Sequence, residues 1–286
     1  MKVDIHCHVF HDLDSYKVLK TQFKDFKGYG FYERILDKIR EKESVSAMSI
    51  IEKTIFHIKS AGIDKVVLLP LSNKENQIVK DWEKLAPKIF IPFFNPPEKT
   101  IEKTKINEIL DKAILEQKYK GFKIMLPFRE KYLNDEILYS ILEAAQEYNL
   151  LTLMHSGHAP PGTRKNVLTY SNPIFIDEII NSFPKVKIIL AHMGWPWVDN
   201  ALALAVQYPN IYLDLSNLTY MMPYRLKEFL LRARDIIGLN KLLFGSDTFI
   251  PEMIEMTVAY FNDIDFLTKE EVNKILGLNA SKLLNL

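Results

Sequence analysis

The sequence has a single cysteine and no long apolar run. Because Cys7 is the only cysteine among 286 residues, no disulfide can form within the chain, and a reducing compartment is expected. No apolar run approaches the roughly 20 residues that span a bilayer. The N-terminus also lacks the basic and apolar regions of a signal peptide. We therefore expect a cytoplasmic protein that does not bind membranes.

A strong net charge is absent as well. The 37 Lys and Arg residues balance 36 Asp and Glu residues, so the formal net charge is +1. A nucleic-acid partner is therefore not indicated. The sequence shows no repeat, low-complexity segment or linker, so residues 1–286 are predicted to form one domain. A homodimer is compatible with these features.

Short apolar runs alternate with amphipathic helical patterns along the chain. Because most of the runs are continuously apolar, they are typical of strands that are covered on both faces. Strict alternation of strand and helix predicts parallel strands joined by helical crossovers. Eight such units in 286 residues favour a closed (β/α)8 TIM barrel over an open sheet. The predicted strands are KVDIHCH, DKVVLLPL from Asp64, KIFIPFFN from Lys88, YKGFKIML from Tyr119, LLTLMHSG from Leu150, KIILAHMG from Lys187, IYLDLSN from Ile211 and KLLFGSD from Lys241.

Two segments interrupt or extend the regular alternation. Residues 10–43, which follow the first strand, mix polar side chains with several aromatic ones. We predict an extended βα-loop with some helix that covers the barrel mouth and closes over a substrate, although a peripheral decoration would show the same composition. Residues 268–276 and 280–284 are predicted to form extra helices at the C-terminus.

The first strand carries two histidines, His6 and His8, at alternating positions. In a strand, residues two apart point to the same face, so both imidazoles would project together with Asp4. By the same alternation, Cys7 would share the opposite face with Val3 and Ile5. Two imidazoles on one face can ligate one metal ion, although two surface histidines on an edge strand would give the same pattern.

Further polar side chains stand where other predicted strands end. His155, His192 and Asp247 end the fifth, sixth and eighth strands, and Lys123 lies on the fourth. In a (β/α)8 barrel, reactive groups gather at the C-terminal ends of the strands, so these residues are expected at one rim. Neutral imidazoles together with one carboxylate are typical of a divalent transition-metal site. Such an ion lowers the pKa of a bound water toward neutrality.

The motifs DIHCH, HSG, AHMG and FGSD, in this order, resemble the amidohydrolase superfamily of metal-dependent barrels. The resemblance runs from the first strand to the eighth, and it is strongest to the amidohydrolase-related branch that includes aminocarboxymuconate-semialdehyde decarboxylase and related aromatic-acid decarboxylases. It implies that His6, His8, His155 and Asp247 hold the metal, with zinc the expected ion. His192 would take a position that either binds a second metal or polarises the substrate.

Lys123 has three alternative roles. In binuclear members of the superfamily, a carbamylated lysine on the fourth strand bridges two metals, and GFKIM could supply such a lysine. Branches that resemble this sequence are usually mononuclear, so one ion is favoured, and two remain open if Lys123 is carbamylated. Alternatively, Lys123 contacts a substrate anion or forms a structural ion pair, because a buried lysine needs a partner anion or a lowered pKa.

Other candidate residues compete with ordinary structural roles. His158 and Trp195 follow the fifth and sixth strands and are predicted to contact substrate, although a solvated loop histidine and a tryptophan that covers the barrel would look the same. Three loop cations could clamp a carboxylate or simply be exposed; they are Arg129, Arg164 and Lys165. His11 and Asp214 are predicted to be a loop residue and a structural residue.

The leading functional prediction is a metal-dependent hydrolase that acts on a C–N or C–O bond of a small molecule. Asp247 would transfer the proton of the attacking water to the leaving group, and His192 would stabilise the developing oxyanion. The alternative is non-oxidative decarboxylation of a small aromatic or unsaturated carboxylic acid. Both reactions would use the same residues, so the motifs do not separate them. A metal-binding barrel without activity is disfavoured, because no catalytic position is missing.

Overall fold

A computed structural model describes residues 1–41, 48–99, 101–163 and 165–286. All eight predicted strands are present, and each is shorter than the apolar run that predicted it. The strands are β1 (Val3–Cys7), β2 (Lys65–Leu68), β3 (Phe90–Pro92), β4 (Gly121–Ile124), β5 (Leu151–Met154), β6 (Lys187–Leu190), β7 (Ile211–Asp214) and β8 (Leu242–Leu243).

Helices connect successive strands, as the alternation predicts, and the final ones extend the chain beyond the barrel. One amphipathic pattern of the sequence predicts a helix over residues 46–61, and its start at Ser46 lies outside the described residues. The α-helices are Ser15–Gln22, Gly30–Glu41, Ile50–Ser60, Asn76–Leu85, Lys103–Asp111, Leu138–Glu147, Val167–Tyr170, Asp177–Ile180, Val198–Gln207, Leu218–Met221, Pro223–Ile236, Met253–Asp263, Lys269–Asn273 and Asn279–Leu284. In the part of the chain that is described, none of them is long and apolar enough to cross a bilayer.

The strands form two parallel sheets that hydrogen bonds join into a barrel. The first sheet has the order β1-β2-β3 and the second the order β4-β5-β6-β7-β8. A bridge between Phe94 and Phe122 joins the end of β3 to β4. On the other side, the Ile5 N–H donates to the Phe244 carbonyl at 2.9 Å, and the Asp247 N–H donates to the His6 carbonyl at 2.7 Å. The TIM-barrel prediction is confirmed.

The barrel has an apolar interior that the last helix covers. Side chains on or next to six strands, among them Val67, Leu153 and Leu243, form one buried cluster. Ala280 and Leu283 of the C-terminal helix belong to the same cluster, so this helix packs against the barrel interior. Their position leaves the opposite end, where the strands end, for the polar residues.

Strand β1 departs from the predicted alternation. Asp4 pairs with Val66 and Cys7 with Leu68, so three steps along β1 match two along β2. This extra residue is a β-bulge, which shifts the side-chain phase by one position. The prediction that Cys7 shares a face with Val3 and Ile5 is therefore wrong, since Cys7 packs in a different buried cluster from these two residues.

The Asp4 carboxylate holds the bulge in place. Its Oδ1 atom accepts hydrogen bonds from the backbone N–H groups of His6 and Ser246, both at 3.0 Å. Because Ser246 follows β8, this carboxylate also joins the first strand to the last one. The bulge lets Ile5 pack inside the barrel while the next residue, His6, still lines its mouth.

The segment after β1 covers the barrel mouth, as predicted. We call residues 10–41 the cover segment; its helices are α1 (Ser15–Gln22) and α2 (Gly30–Glu41). Apolar side chains of both helices pack against Tyr220, Ile250 and Met253, which follow β7 and β8. The predicted end of this segment at Glu43 lies outside the described residues. The cover segment therefore forms one wall of the space at the barrel mouth.

A buried ion pair anchors the start of α1. The Glu252 carboxylate accepts a hydrogen bond from the Ser15 hydroxyl at 2.6 Å and lies 2.5 Å from Lys53 Nζ. Lys53 Nζ also donates to the Leu13 carbonyl at 2.8 Å. Since removal of one partner of a buried ion pair is strongly destabilising, this contact fixes the cover segment to the loop after β8.

Candidate active site

The barrel mouth contains a cavity of about 250 Å³. Its floor is formed by the side chains that the sequence places at strand ends. The structure brings all the predicted metal-site residues together with two of the three predicted substrate contacts. These lining residues are His6, His8, Lys123, His155, His158, His192 and Asp247.

The possible ligand atoms converge on the Asp247 carboxylate. The Nε2 atoms of His6 and His8 lie 3.2 Å apart. Asp247 Oδ1 lies 3.5 Å from His6 Nε2 and 3.3 Å from His8 Nε2. His192 Nε2 lies 3.7 Å from Asp247 Oδ2. One potential ligand atom each from His6, His192 and Asp247 lies within 4.8 Å of the other two, a separation that one metal ion can bridge.

Hydrogen bonds orient the two histidines of β1. His8 Nδ1 lies 2.6 Å from the Leu69 carbonyl oxygen, which can only accept. Nδ1 therefore carries the hydrogen, and the Nε2 lone pair is free to ligate a metal. His6 Nδ1 lies 2.6 Å from Asp214 Oδ2, which gives the same orientation. Both imidazoles thus present Nε2 to the cavity.

His155 supplies a direct test of whether a metal fits. Its Nε2 atom is buried and has no hydrogen-bond partner. Its ring packs against those of His192 and Phe128, with centroids 5.3 and 4.8 Å away. Because buried polar atoms normally have a partner, an unpartnered imidazole nitrogen beside other ligand atoms fits a metal-binding role.

The charges of the cluster also suit a cation. Burial lowers the pKa of His6 and His155 well below the usual range and that of His192 to about 3, so these imidazoles are neutral. Burial alone would raise the pKa of Asp247, but positive charge at the neighbouring His6, His8 or His192 outweighs burial and holds that pKa well below its usual value, and a bound cation would act in the same direction. Neutral imidazoles around an ionised carboxylate are a donor set that binds zinc and similar ions.

Lys123 lies within this cluster. It is fully buried, and its Nζ is 3.2 Å from His6 Nε2. Burial lowers its pKa to about 8, against the opposing charges of Asp247 and Asp214. The structural ion pair considered for Lys123 is not observed among the described residues. Its amino group instead lies next to the His6 imidazole, and both contact with a substrate anion and carbamylation stay predictions.

The sequence model of the family described as Amidohydrolase matches residues 3–286. The chain belongs to the amidohydrolase family. The resemblance read from the four motifs is thereby confirmed, and it places the chain in a metal-dependent superfamily.

One curated relative of this amidohydrolase-family chain is protein fluG of Emericella nidulans. The two are 31% identical over 141 residues, which are 47% of this chain and 16% of fluG. The match therefore spans only a small part of fluG.

Solved structures with the same fold include uncharacterised and characterised proteins. An uncharacterised TIM-barrel protein of Bordetella bronchiseptica superposes with a TM-score of 0.75 at 19% identity, over 99% of this chain and 98% of that one. A 2,6-dihydroxybenzoate decarboxylase from Rhizobium has a TM-score of 0.64 at 13% identity, over 99% and 98%. A 5-carboxyvanillate decarboxylase of Novosphingobium aromaticivorans, complexed with manganese, has a TM-score of 0.62 at 15% identity, over 100% and 96%. At these identities, the likeness shows the fold alone.

The two weaker substrate candidates of the amidohydrolase occupy different positions. His158 lines the cavity, and burial lowers its pKa to about 4. Trp195 is not among the lining residues; its indole packs edge-on against the His158 ring, with centroids 5.0 Å apart. The Trp195 carbonyl also accepts the His158 N–H at 2.7 Å. The direct contact predicted for Trp195 is therefore not found, and Trp195 instead packs against His158, which lines the cavity.

Two of the three loop cations, Arg129 and Lys165, do not line the cavity. Arg129 Nε lies 3.5 Å from Glu98 Oε2, and Lys165 Nζ donates to the Phe128 carbonyl at 3.0 Å. Arg164 lies outside the described residues. The cavity walls above the histidines are mostly apolar, so they suit a substrate with an apolar body. Those wall residues include Val9, Phe10, Val18, Leu71, Met125, Phe128, Pro160, Met221 and Phe249.

Three polar residues at and just after the end of β7 contribute to the site, and none of them was predicted to have a functional role. Asn217 Nδ2 donates to Asp247 Oδ2 at 2.9 Å. Asp214, predicted to be structural, contacts His6 directly, and Ser216 Oγ lies 2.6 Å from Asp214 Oδ2 and 3.0 Å from His6 Nδ1. The signal was the stretch DLSN, in which polar residues follow a strand just as they do after β5, β6 and β8.

Glu98, a buried carboxyl group beside the cavity, gives the protein a measurable pH dependence. It accepts hydrogen bonds from the Met125 N–H and from Asn95 Nδ2, and burial raises its pKa from 4.5 to about 7. The folded state therefore binds this proton more tightly than the unfolded state, and Glu98 makes the free energy of unfolding fall as the pH rises from about 4.5 to about 7.

We expect Glu98→Gln to remove this loss of stability. The variant should gain on the order of 3 kcal/mol over the wild type at pH 8 and little at pH 4.5, because wild-type Glu98 is already neutral there. Urea unfolding at both pH values measures the difference, with Glu102→Gln at an exposed position as the control. An equal effect of Glu98→Gln at both pH values would contradict the assignment.

Proposed function

We propose that this amidohydrolase-family chain is a metal-dependent hydrolase of a C–N or C–O bond in a small, largely apolar molecule. The observation that carries the proposal is the convergence of histidine nitrogens on the Asp247 carboxylate beneath apolar walls. A polar reacting group would lie among the histidines, and the rest of the substrate would contact the walls.

We assign His6, His8, His155 and Asp247 as ligands of one divalent ion, with zinc as the first choice. Such an ion, when bound, activates a water molecule and polarises the substrate carbonyl. The donor set fits this ion because His6 and His155 are neutral and the Asp247 carboxylate is ionised.

The chain itself supplies proton transfer and orientation. Asp247 stays ionised, so it accepts the proton of the attacking water and passes it to the leaving nitrogen or oxygen. Asn217 Nδ2 donates to Asp247 Oδ2 and thereby fixes the orientation of the carboxylate. Lys123 Nζ lies next to His6 Nε2, where it can donate to a substrate oxygen. His192 either coordinates the ion or donates to the developing oxyanion, and the partners of its Nδ1 atom distinguish these roles.

Decarboxylation is the second candidate, and one feature of the cavity favours it. Three aromatic rings, those of Phe10, Phe128 and Phe249, stand in the walls and suit a flat, unsaturated acid. In this reaction, the carbon–carboxylate bond breaks, CO2 leaves, and a proton takes its place on carbon. Asp247 or His192 would deliver that proton, and no water would be consumed.

Isotope incorporation separates the two reactions. The purified protein, loaded with zinc or with manganese, is given lactones, esters, amides and aromatic carboxylates in H2¹⁸O and, separately, in D2O. Hydrolysis places one ¹⁸O atom in the product carboxylate, and metal-stripped protein should be inactive. Release of CO2 with deuterium on carbon and without ¹⁸O would contradict hydrolysis and support the carboxy-lyase alternative.

A further inference from the structure

A buried carboxylate at the end of β7 contacts the metal-site histidines from behind. Asp214 is fully buried, and its Oδ2 atom lies 2.6 Å from His6 Nδ1. The same oxygen accepts the Ser216 hydroxyl hydrogen at 2.6 Å, while Oδ1 accepts the Ser216 backbone N–H at 2.7 Å. Both oxygens of this carboxylate are therefore engaged by donors.

The Ser216 hydroxyl, held by Asp214, in turn orients a second histidine, His192. A hydroxyl has one hydrogen, and Asp214 takes it, so the oxygen lone pairs of Ser216 are left to accept. His192 Nδ1 lies 2.9 Å from Ser216 Oγ and 3.3 Å from the Ser216 carbonyl oxygen. Two acceptors face this nitrogen, so it carries the hydrogen of the ring.

One contact opposes this reading of His192. Asn217 Nδ2, a donor, lies 3.1 Å from His192 Nδ1. The position of Asn217 is explained by its shorter bond to Asp247 Oδ2 at 2.9 Å, which needs only one of its two hydrogens. The two oxygens of Ser216 therefore outweigh the single amide donor.

We propose that Asp214 and Ser216 are positioning residues that fix the Nδ1–H tautomer of both His6 and His192. Both Nε2 lone pairs then face the Asp247 carboxylate, where a divalent ion would be held. This inference rests on the proposed metal site, and it assigns His192 as a ligand or proton acceptor instead of a hydrogen-bond donor to an oxyanion. One carboxylate thus orients two imidazoles from different strands.

The tautomers can be measured without metal or substrate. In protein labelled with ¹⁵N-histidine, long-range ¹H–¹⁵N spectra distinguish Nδ1–H from Nε2–H imidazoles, and His6→Gln and His192→Gln variants assign the two signals. We expect Nδ1–H for both rings in the metal-free protein. An Nε2–H signal from either ring would overturn the proposal, and because no turnover is measured, failure of the proposed hydrolysis would not mimic that result.

Two variants break the two contacts separately. In Asp214→Asn, an amide NH2 replaces one of the two carboxylate oxygens. In either orientation of the amide, this NH2 faces a donor, the Ser216 N–H or the His6 Nδ1–H. His6 should convert to Nε2–H, and zinc affinity should fall about 10–100-fold. Ser216→Ala should leave the His6 tautomer unchanged and release that of His192 alone.

The control is Ser171→Ala, which removes another buried hydroxyl whose hydrogen bond, to the Val167 carbonyl, is remote from these histidines. It should change neither tautomer nor the zinc affinity measured by competition with a chelating dye. If Asp214→Asn does not fold, the Ser216→Ala spectrum still decides. Wild-type tautomers in Ser216→Ala would refute the assignment. So would wild-type tautomers in Asp214→Asn together with a zinc affinity within about twofold of the wild type.

Discussion

Replacing His6 and His8 together with alanine is expected to abolish metal binding while the barrel stays folded. Both Nε2 atoms lie within 3.5 Å of Asp247 Oδ1, so the double variant loses two of the four assigned ligands. Asp214 keeps its two hydrogen bonds from Ser216, so removal of His6 does not leave that carboxylate without a partner. Metal content should fall from about one ion per chain to near zero.

Metal analysis after dialysis, with circular dichroism as the check on folding, measures this effect. His11→Ala is the matched control, because His11 also lines the cavity but its Nε2 contacts Glu75 at 3.3 Å. That variant should keep its metal. Full metal occupancy in the folded double variant would show that other residues hold the ion.

Asp247→Asn is expected to lose about 10²–10⁴-fold in turnover, the usual cost of removing a general base. The amide keeps an oxygen for the ion but cannot accept a proton. The backbone should tolerate the change, because Asp247 has φ 43° and asparagine is among the residues that adopt this left-handed region most readily. His192→Asn, also at a left-handed position with φ 57°, should retain more activity, since Asp247 and three histidines remain.

The comparison requires turnover of a verified substrate and metal content for each variant. Asp247→Asn with full metal occupancy and wild-type turnover would contradict the assignment of Asp247 as the base. A metal-free Asp247→Asn protein would instead assign Asp247 chiefly as a ligand. Turnover of His192→Asn below that of Asp247→Asn would make His192 the principal proton-handling group.

Much of the site could be predicted because barrel geometry turns sequence order into proximity. His155, His192 and Asp247 follow separate strands, and parallel strands bring their C-terminal ends to one rim. The bulge in β1 could not be predicted, since it depends on the register with Val66 and Leu68 on another strand. A periodicity of two holds only while both strands advance together.

The supporting residues were harder to find for a different reason. Asp214 is 208 positions from His6, and only packing shows that its carboxylate meets Nδ1 of that imidazole. Trp195 shows the opposite error, since it was predicted to contact substrate and does not line the cavity. A large aromatic residue next to a strand end need not face the cavity. Local sequence patterns thus predict which residues lie at the rim of the barrel. They do not predict which of these side chains face the cavity and which support the cavity-facing ones from behind.

The contact between the first and last strands has a consequence for the order of folding. His6 and Asp4 contact residues that follow β8, so nearly the whole sequence of the barrel separates the two sides of this contact. While the protein is synthesised, the first histidines therefore lack their carboxylate partner until Asp247 has emerged and β8 has paired. Such non-local pairing forms slowly. An ion that binds only the closed barrel would favour the native state by mass action, so metal supply should govern how much newly made protein reaches that state.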